Sequence, residues 1–185
     1  MTAEYKRIDK IQKNIVSLDA VKSFLRISGD DENAMLQVFI DAAVEKAEAV
    51  TNRDLLTTTY ELYLPSFYGD LTLRRATYQS LVSIEYLKNK VYVTMPEDNY
   101  TLSEGGVYGI IEDIEIPSID DGVKAVKITF KTGYGDNVGD VPADIALALL
   151  LTIHHWYDNR GMCECPDSAN AIYNRYQVMD ISNDV

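Results

Sequence analysis

The chain has 185 residues, of which 46% are hydrophobic and 25% charged. These proportions exclude a disordered chain and suit one folded domain, or a small domain with a large insertion. A formal net charge of -12 at pH 7 excludes a general DNA-coating role, because such a surface repels phosphate, but it is compatible with a channel through which DNA slides without sticking.

Membrane and secretion signals are not visible in the sequence. The N-terminal MTAEYKRIDK contains no apolar segment typical of a secretion signal, and the longest apolar run, IALALLLTI, is too short to span a bilayer. We therefore expect a protein that is made and stays in the cytoplasm, with no membrane contact. Cys163 and Cys165 are too close together for a comfortable structural disulfide, so we expect reduced thiols.

Two helices are predicted in the first third of the chain. Ser17 is typical of an N-cap, and apolar residues follow it at helical spacing in SLDAVKSFLRI. The segment SGDDE breaks this helix. A longer amphipathic helix is predicted from about Asp31 to Thr51, and we expect the two helices to pack as a hairpin.

The middle of the chain has the composition of antiparallel strands. Residues 57–135 consist of short segments rich in β-branched and aromatic residues, often alternating, such as TTTYELYLP, SLVSIEYLK and KAVKITFKTGYG. A turn-rich stretch leads to Pro142, which suits the first turn of a helix, and a largely apolar helix is predicted from Ala143 to about Asn159, ended by Gly161. The segment SANAIYNRYQV predicts one more short helix.

These elements predict an α+β fold that is mainly a helical bundle, with a β-rich antiparallel insertion between the second and third main helices. The expected organisation is an N-terminal arm at 1–16, a discontinuous helical bundle domain at 17–56 and 141–178, the β-rich insertion at 57–140, and a C-terminal tail at 179–185. Residues 1–13 hold four basic and two acidic side chains. This positively charged N-terminal arm could contact an acidic surface of a neighbouring protein.

A glycine-rich loop gives the nearest approach to a nucleotide motif. Gly133, Gly135 and Gly139 follow a strand and precede a helix, but the third glycine is one position too late for a dinucleotide fingerprint. No second parallel strand ends in a carboxylate that could hold a ribose. A loop that turns the chain from sheet to helix explains these glycines better.

A cluster of histidines and cysteines raises the alternative of a metal site. His154 and His155 are adjacent on a helix and point about 100° apart, so they cannot easily hold one ion together. His154 could pair with Asp158 one turn later, but no recognisable nucleophile accompanies them. We expect no catalytic residue, metal or cofactor. The alternative is a small soluble metal-binding enzyme, or a generic binding module, that uses these histidines with Cys163 and Cys165.

Two further groups of side chains are candidates for contacts. Asp41, Glu45 and Glu48 form an acidic stripe away from the apolar face of the second long helix, for which a solvated face is the ordinary explanation. Trp156 and Arg160 lie one turn apart and can stack, and both residue types are enriched in binding hot spots.

Taken in order and spacing, four segments resemble the head-tail connector proteins of tailed bacteriophages, also called adaptor or head-completion proteins. They are the helix pair running into LLTTTYEL, the strand SLVSIEYL, the segment ITFKTGYGD, and VPADIALALLLTIHHWYDNRG. The resemblance covers most of residues 17–161.

The resemblance implies a structural virion protein and not an enzyme. Proteins of this kind assemble in the host cytoplasm into a ring, typically a dodecamer, that binds the portal protein after DNA packaging and forms the neck of the virion. The ring provides the attachment surface for the stopper or tail-completion protein. Double-stranded DNA passes through its lumen in transient, non-specific proximity.

The resemblance also suggests roles for particular residues. The stripe Asp41, Glu45 and Glu48 becomes a candidate lumen wall, because an acidic lumen would repel a phosphate backbone. Candidate contacts with a neighbouring subunit or the portal are Trp156, Tyr157 and Arg160 at the end of the third helix, and Ile172, Tyr173 and Tyr176 in the C-terminal segment 169–178.

Overall fold

The computed structural model describes residues 3–161 and 164–178 of the chain. Their contacts divide into two units. Residues 3–11 and 57–134 form the first, which we call the β unit. Residues 12–56, 135–161 and 164–178 form the second, which we call the helical unit. Each unit is therefore assembled from segments that are far apart in sequence.

The α-helices described by the structure all lie in the helical unit. They are α1 (Leu18–Leu25), α2 (Asn33–Thr51), α3 (Ala143–Asp158) and α4 (Asp167–Tyr176). Ser17 caps α1 as predicted, because its hydroxyl accepts the backbone N–H of Ala20 at 3.1 Å. Helix α3 contacts α2 and α4, and the residues that its helical period turns towards them are buried: Ile145, Ala148, Leu149, Thr152, Ile153 and Trp156.

The end of α3 differs from the sequence-based expectation. The N–H of Arg160 donates to the carbonyl of Tyr157, and the N–H of Gly161 donates to the carbonyl of Trp156. This pattern is a Schellman motif, in which one residue takes the left-handed conformation. That residue is Arg160, with φ of 52°, and not the glycine that follows it.

The strands of the β unit are β1 (Glu4–Lys10), β2 (Thr58–Leu64), β3 (Leu71–Leu73), β4 (Tyr78–Lys88), β5 (Val91–Thr94), β6 (Thr101–Gly105), β7 (Tyr108–Glu112) and β8 (Val126–Thr132). One sheet has the order β1-β2-β8-β4-β5 and the other has the order β3-β7-β6. Every neighbouring pair is antiparallel, as predicted for residues 57–135.

Alternating side chains place a hydrophobic core on one face of the larger sheet. In β2 and β8 every second residue is buried, so that Leu62 and Ile128 are opposite each other on the core side. Leu73 of β3 and Ile111 of β7 belong to the same apolar cluster. Both sheets therefore share one core within this unit.

The prediction of a mainly helical bundle is wrong. The described residues are 34% helical and 28% strand, and the strands form two antiparallel sheets. The fold is α+β, but the strands pair around an apolar cluster of their own and gain an additional strand, β1, from the N-terminal residues. The local patterns located strands within residues 57–135 but missed β1, and they underestimated how much of the fold the strands build.

Two further observations concern features expected from the sequence. No helix within residues 3–161 and 164–178 is long and apolar enough to cross a membrane. The predicted C-terminal tail, residues 179–185, and Cys163 lie outside the described residues.

Candidate functional site

Trp156 lies in the core of the helical unit. Its side chain is buried, and its ring packs edge-to-face against Phe39 of α2 with centroids 6.3 Å apart. Such aromatic pairs add to the stabilisation that comes from burial alone. Within the subunit, Trp156 therefore fixes α3 against α2, and any effect on a neighbouring molecule would be through the position of α3.

Tyr157 and Arg160 are closer to the surface of the same unit. The phenol of Tyr157 donates a hydrogen bond to Glu32 at 2.8 Å, which links the start of α2 to the end of α3. This hydrogen bond to a carboxylate raises the pKa of Tyr157, because ionisation would break it and place two negative charges together. The side chain of Arg160 is exposed, just beyond the helix.

The C-terminal candidate segment packs on the helical unit through a buried tyrosine. Tyr173 of α4 is fully buried, and its phenol oxygen lies 3.2 Å from the hydroxyl oxygen of Thr152 on α3. Burial, which disfavours the charged phenolate, raises the pKa of Tyr173 to about 12. Ile172, its neighbour, is half-buried and retains an accessible side.

A polar network fixes the end of the same helix. Both oxygens of the Asp144 carboxylate are occupied, one by the phenol of Tyr176 at 2.7 Å and the other by the guanidinium of Arg175 at 2.8 Å. Nε of Arg53 donates to the carbonyl of Tyr176 at 2.6 Å. Sequence reasoning missed Arg53 and Asp144, because the contacts join residues 31 to 123 positions apart and no local pattern announces them.

The acidic stripe divides into two parts. Asp41 and Glu45 are exposed on α2, where Asp41 accepts a hydrogen bond from Gln37 at 2.8 Å. Glu48 is half-buried, and its carboxylate accepts the backbone N–H of Leu55 at 3.1 Å. Glu48 thus stabilises the chain that leaves α2, and the exposed acidic surface of the stripe is carried by the other two residues.

The two histidines of the alternative metal-site interpretation, His154 and His155, have separate neighbours. Nδ1 of His154 lies 3.3 Å from a carboxylate oxygen of Asp158, and its ring packs edge-to-face on Phe24. His155 instead lies near Asn159, with Nδ1 3.3 Å from the side-chain amide. Among the described residues, which include the buried Cys165, no three histidine, cysteine or acidic side chains are grouped to hold a metal ion.

The glycine-rich loop after β8 is closed by its own side chains. The carboxylate of Asp140 accepts the N–H of Asn137 at 2.9 Å and occupies the space beside the α-carbon of Gly135. The ammonium of Lys13 donates to the carbonyl of Asp136 at 2.8 Å. An acidic side chain folded into the loop is the opposite of what phosphate binding requires.

Comparisons with known proteins agree on one group. Residues 14–164 match the family model described as "Head completion protein". No curated protein matches the chain.

Three solved structures have the same fold over nearly the whole chain. A chain from the neck of an empty gene transfer agent (GTA) particle computed with C6 symmetry has a TM-score of 0.79 and 19% identity, covering 96% of this chain and 97% of that one. A chain from the virion of a native GTA particle has a TM-score of 0.76 and 20% identity, with 96% of each chain covered. A chain from the neck of a native GTA particle computed with C12 symmetry has a TM-score of 0.68 and 20% identity, covering 96% of this chain and 97% of that one.

At this level of identity, the likeness to solved structures concerns the fold, while the family match concerns the sequence itself. The match spans most of the chain and confirms the family that the sequence resemblance predicted. The protein belongs to the head completion protein family.

Proposed function

We propose that this protein is a non-enzymatic structural subunit of the neck of a tailed phage or phage-like particle. The observation that carries the proposal is the family match over residues 14–164, together with a fold shared with neck chains over 96% of the sequence. In this role the protein binds the portal after DNA packaging and offers a surface to the stopper or tail. The protein acts through contacts with other proteins and catalyses no reaction.

The proposed assembly is a closed ring of identical subunits, with twelve copies in the particle. The similar neck structures were computed with C6 and C12 symmetry, which supports a cyclic arrangement. In a cyclic ring each subunit presents two different surfaces, one to each neighbour. DNA would pass through the lumen, and the exposed carboxylates of Asp41 and Glu45 would line it and keep phosphate from adhering.

The contacts with neighbours are assigned to side chains that have an accessible part. Arg160 is exposed, while Tyr157, Ile172 and Tyr176 are half-buried. We assign these four to the contact with a neighbouring subunit or the portal. Trp156 and Tyr173 are buried within the helical unit and would act by holding α3 and α4 in position.

Deletion and complementation in the particle-producing host test this proposal. Without the gene we expect DNA-filled heads that lack tails, because the attachment surface is missing, and the wild-type gene supplied separately should restore tailed particles. Electron microscopy of the purified particles, with image reconstruction of the neck, provides the readout. Tailed, complete particles formed without the protein would refute the proposed function.

A variant pair tests the assigned contacts in the same system. Arg160→Ala should lower the yield of tailed particles, because it removes an exposed cation from the proposed joint. Arg26→Ala is the matched control, since Arg26 occupies the same left-handed position at the end of α1. Equal yields from both variants, with both proteins folded, would remove Arg160 from the contact.

A further inference from the structure

The larger sheet of the β unit, as far as the described residues show it, ends in two different edge strands. Strand β1 lies at one end and β5 at the other, with β2, β8 and β4 between them. Each strand is antiparallel to its neighbour, and the number of strands is odd. The two edge strands therefore run in the same direction.

The β5 edge lacks the features that usually protect an edge strand. Its sequence, VYVT, contains no charge and no proline, and Val91 and Val93 are 64% and 38% exposed. Exposed apolar edges of this kind pair readily with other strands, and natural proteins generally cover or charge them. Among residues 3–161 and 164–178, no strand pairs with this edge of β5.

The β1 edge matches β5 in length and is protected against uncontrolled pairing. Its regular part, Glu4–Arg7, is as long as the four-residue β5, and the register then shifts between Arg7 and Asp9. The side chains of Lys6 and Arg7 are exposed. Bulges and basic side chains are devices that prevent an edge from pairing with arbitrary strands.

We propose that β5 of one copy pairs in parallel with β1 of the next copy, so that the larger sheets join edge to edge around the ring. This inference rests on the ring proposed above. In a ring of six or twelve copies, neighbours are related by a sixth or a twelfth of a turn, a rotation too small to reverse the sense of a strand. Edges that have the same sense within one copy therefore favour parallel pairing when the sheets join.

The charged residues that flank the two edge strands also favour parallel pairing, for a reason separate from strand direction. In the parallel alignment, Glu4, which already pairs with Lys124 of its own chain at 2.9 Å, comes next to Lys90 of the neighbouring copy, and Lys10 points towards Glu97 and Asp98. In the antiparallel alignment Glu4 would approach those two acids, and Lys10 would approach Lys90. Complementary charges of this kind set orientation more than affinity.

The sheet face on which each side chain lies restricts the register between β5 of one copy and β1 of the next. Arg7 is opposite Tyr60 and Val93 is opposite Tyr86, and both tyrosines are on the core side of the sheet. Since sheets that continue across a joint keep their faces, Arg7 should lie beside Val93, or beside Val91 after a shift of two residues. Lys6 and Tyr92 then meet on the opposite face.

Engineered disulfides test this joint in assembled particles. The full chain would carry Arg7→Cys together with Val93→Cys, or Arg7→Cys together with Val91→Cys, with Cys163→Ser and Cys165→Ala as background. After oxidation, non-reducing gels should show a ladder of covalent oligomers beyond the dimer from one of the two pairs. Each single cysteine variant can give at most a dimer. The matched control is Lys6→Cys with Val93→Cys, which places the thiols on opposite faces and should give no ladder.

The outcomes separate this inference from the proposed function. A ring visible in the neck without a ladder from either pair overturns the edge-to-edge joint and leaves the ring in place. If a ring forms without a ladder and a thiol reagent cannot reach the cysteine introduced by Val93→Cys, the edge-to-edge joint is also overturned. The β5 edge is then assigned to a strand of another protein. Absence of any ring in tailed particles refutes the proposed function itself.

Discussion

The phenol oxygen of Tyr173 lies 3.2 Å from the hydroxyl oxygen of Thr152, and both side chains are fully buried. The Thr152 hydroxyl already donates to the carbonyl of Ala148 at 2.8 Å, so Tyr173 is the donor to Thr152. This contact joins α4 to α3 in the interior of the helical unit. It makes the stability of that unit depend on a neutral phenol.

The buried phenol predicts a loss of stability at high pH. The pKa of Tyr173 is raised from 10.0 to about 12, so its contribution is fully present below pH 10 and is lost as the pH rises towards 12. We expect a loss of roughly 2 kcal/mol in the free energy of unfolding across this range. Chemical denaturation at a series of pH values measures it. Tyr63, whose pKa is also raised to about 12, titrates in the same window, so Tyr173→Phe is required to isolate the contribution of Tyr173. A pH dependence unchanged in Tyr173→Phe would contradict the assignment.

Replacing Arg160 with glycine should stabilise the folded chain. The left-handed conformation of Arg160 is strained for a residue with a side chain, and glycine adopts it freely. We expect the free energy of unfolding to increase by up to about 1 kcal/mol, measured by urea denaturation. Arg26→Gly, at the equivalent position of α1, should have a similar effect. If Arg160 also contacts a neighbour, Arg160→Gly will reduce assembly while it increases stability, a combination that no folding defect produces.

The glycine loop provides a matched pair of substitutions. Gly135→Ala should destabilise the protein by about 1–3 kcal/mol, because the new methyl group overlaps with the side chain of Asp140 and displaces its hydrogen bond to Asn137. Gly139→Ala meets no atom within 4 Å and should be close to neutral. The midpoints of thermal unfolding of the two variants, measured under the same conditions, provide the comparison. Equal midpoints would show that the loop does not depend on the Asp140 contact.

Truncation of Trp156 should be among the most damaging single changes in the helical unit. Trp156→Ala removes a buried ring and its contact with Phe39, and we expect a loss of about 3–5 kcal/mol of stability. Trp156→Phe should recover a large part of this loss, since an aromatic ring is retained. Denaturant titration monitored by circular dichroism follows both. A stable Trp156→Ala protein would contradict its placement in the core.

The two kinds of carboxylate in the acidic stripe should respond differently to substitution. Glu48→Ala leaves the N–H of the buried Leu55 without this acceptor and should cost about 1–3 kcal/mol. Glu48→Gln retains an acceptor oxygen and should restore most of the stability. Glu45→Ala, on the exposed surface, should change stability by less than about 0.5 kcal/mol. Urea denaturation of the three variants gives the comparison, and a costly Glu45→Ala would show that the stripe is not divided as described.

Elements with a clear local pattern were predictable from the sequence. Helix α3 was expected from Ala143 to about Asn159 and spans Ala143–Asp158, because a long apolar run follows Pro142, which suits a first helical turn, and precedes Gly161. The alternating residues of β2 and β8 likewise identified strands with one buried face. The order of these segments was also enough to identify the family.

Features that depend on distant partners were not predictable. Strand β1 has the sequence EYKRIDK, in which charged residues obscure any alternation, and it becomes a strand because β2 offers it hydrogen bonds. The inward turn of Glu48 depends on the path of the chain at Leu55, and the occupation of both Asp144 oxygens depends on α4. In each case the partner is brought near by folding and not by sequence proximity.

The sequence by itself determined where helices and strands lie and which family they compose, because side-chain period and capping act over a few neighbouring residues. The tertiary structure decided how much of the fold the sheets build, which candidate residues are buried, and which strands lie at the edges of the larger sheet. These properties arise from pairing and packing between segments up to about 120 positions apart, and hydrogen bonding and burial at that separation leave no local pattern.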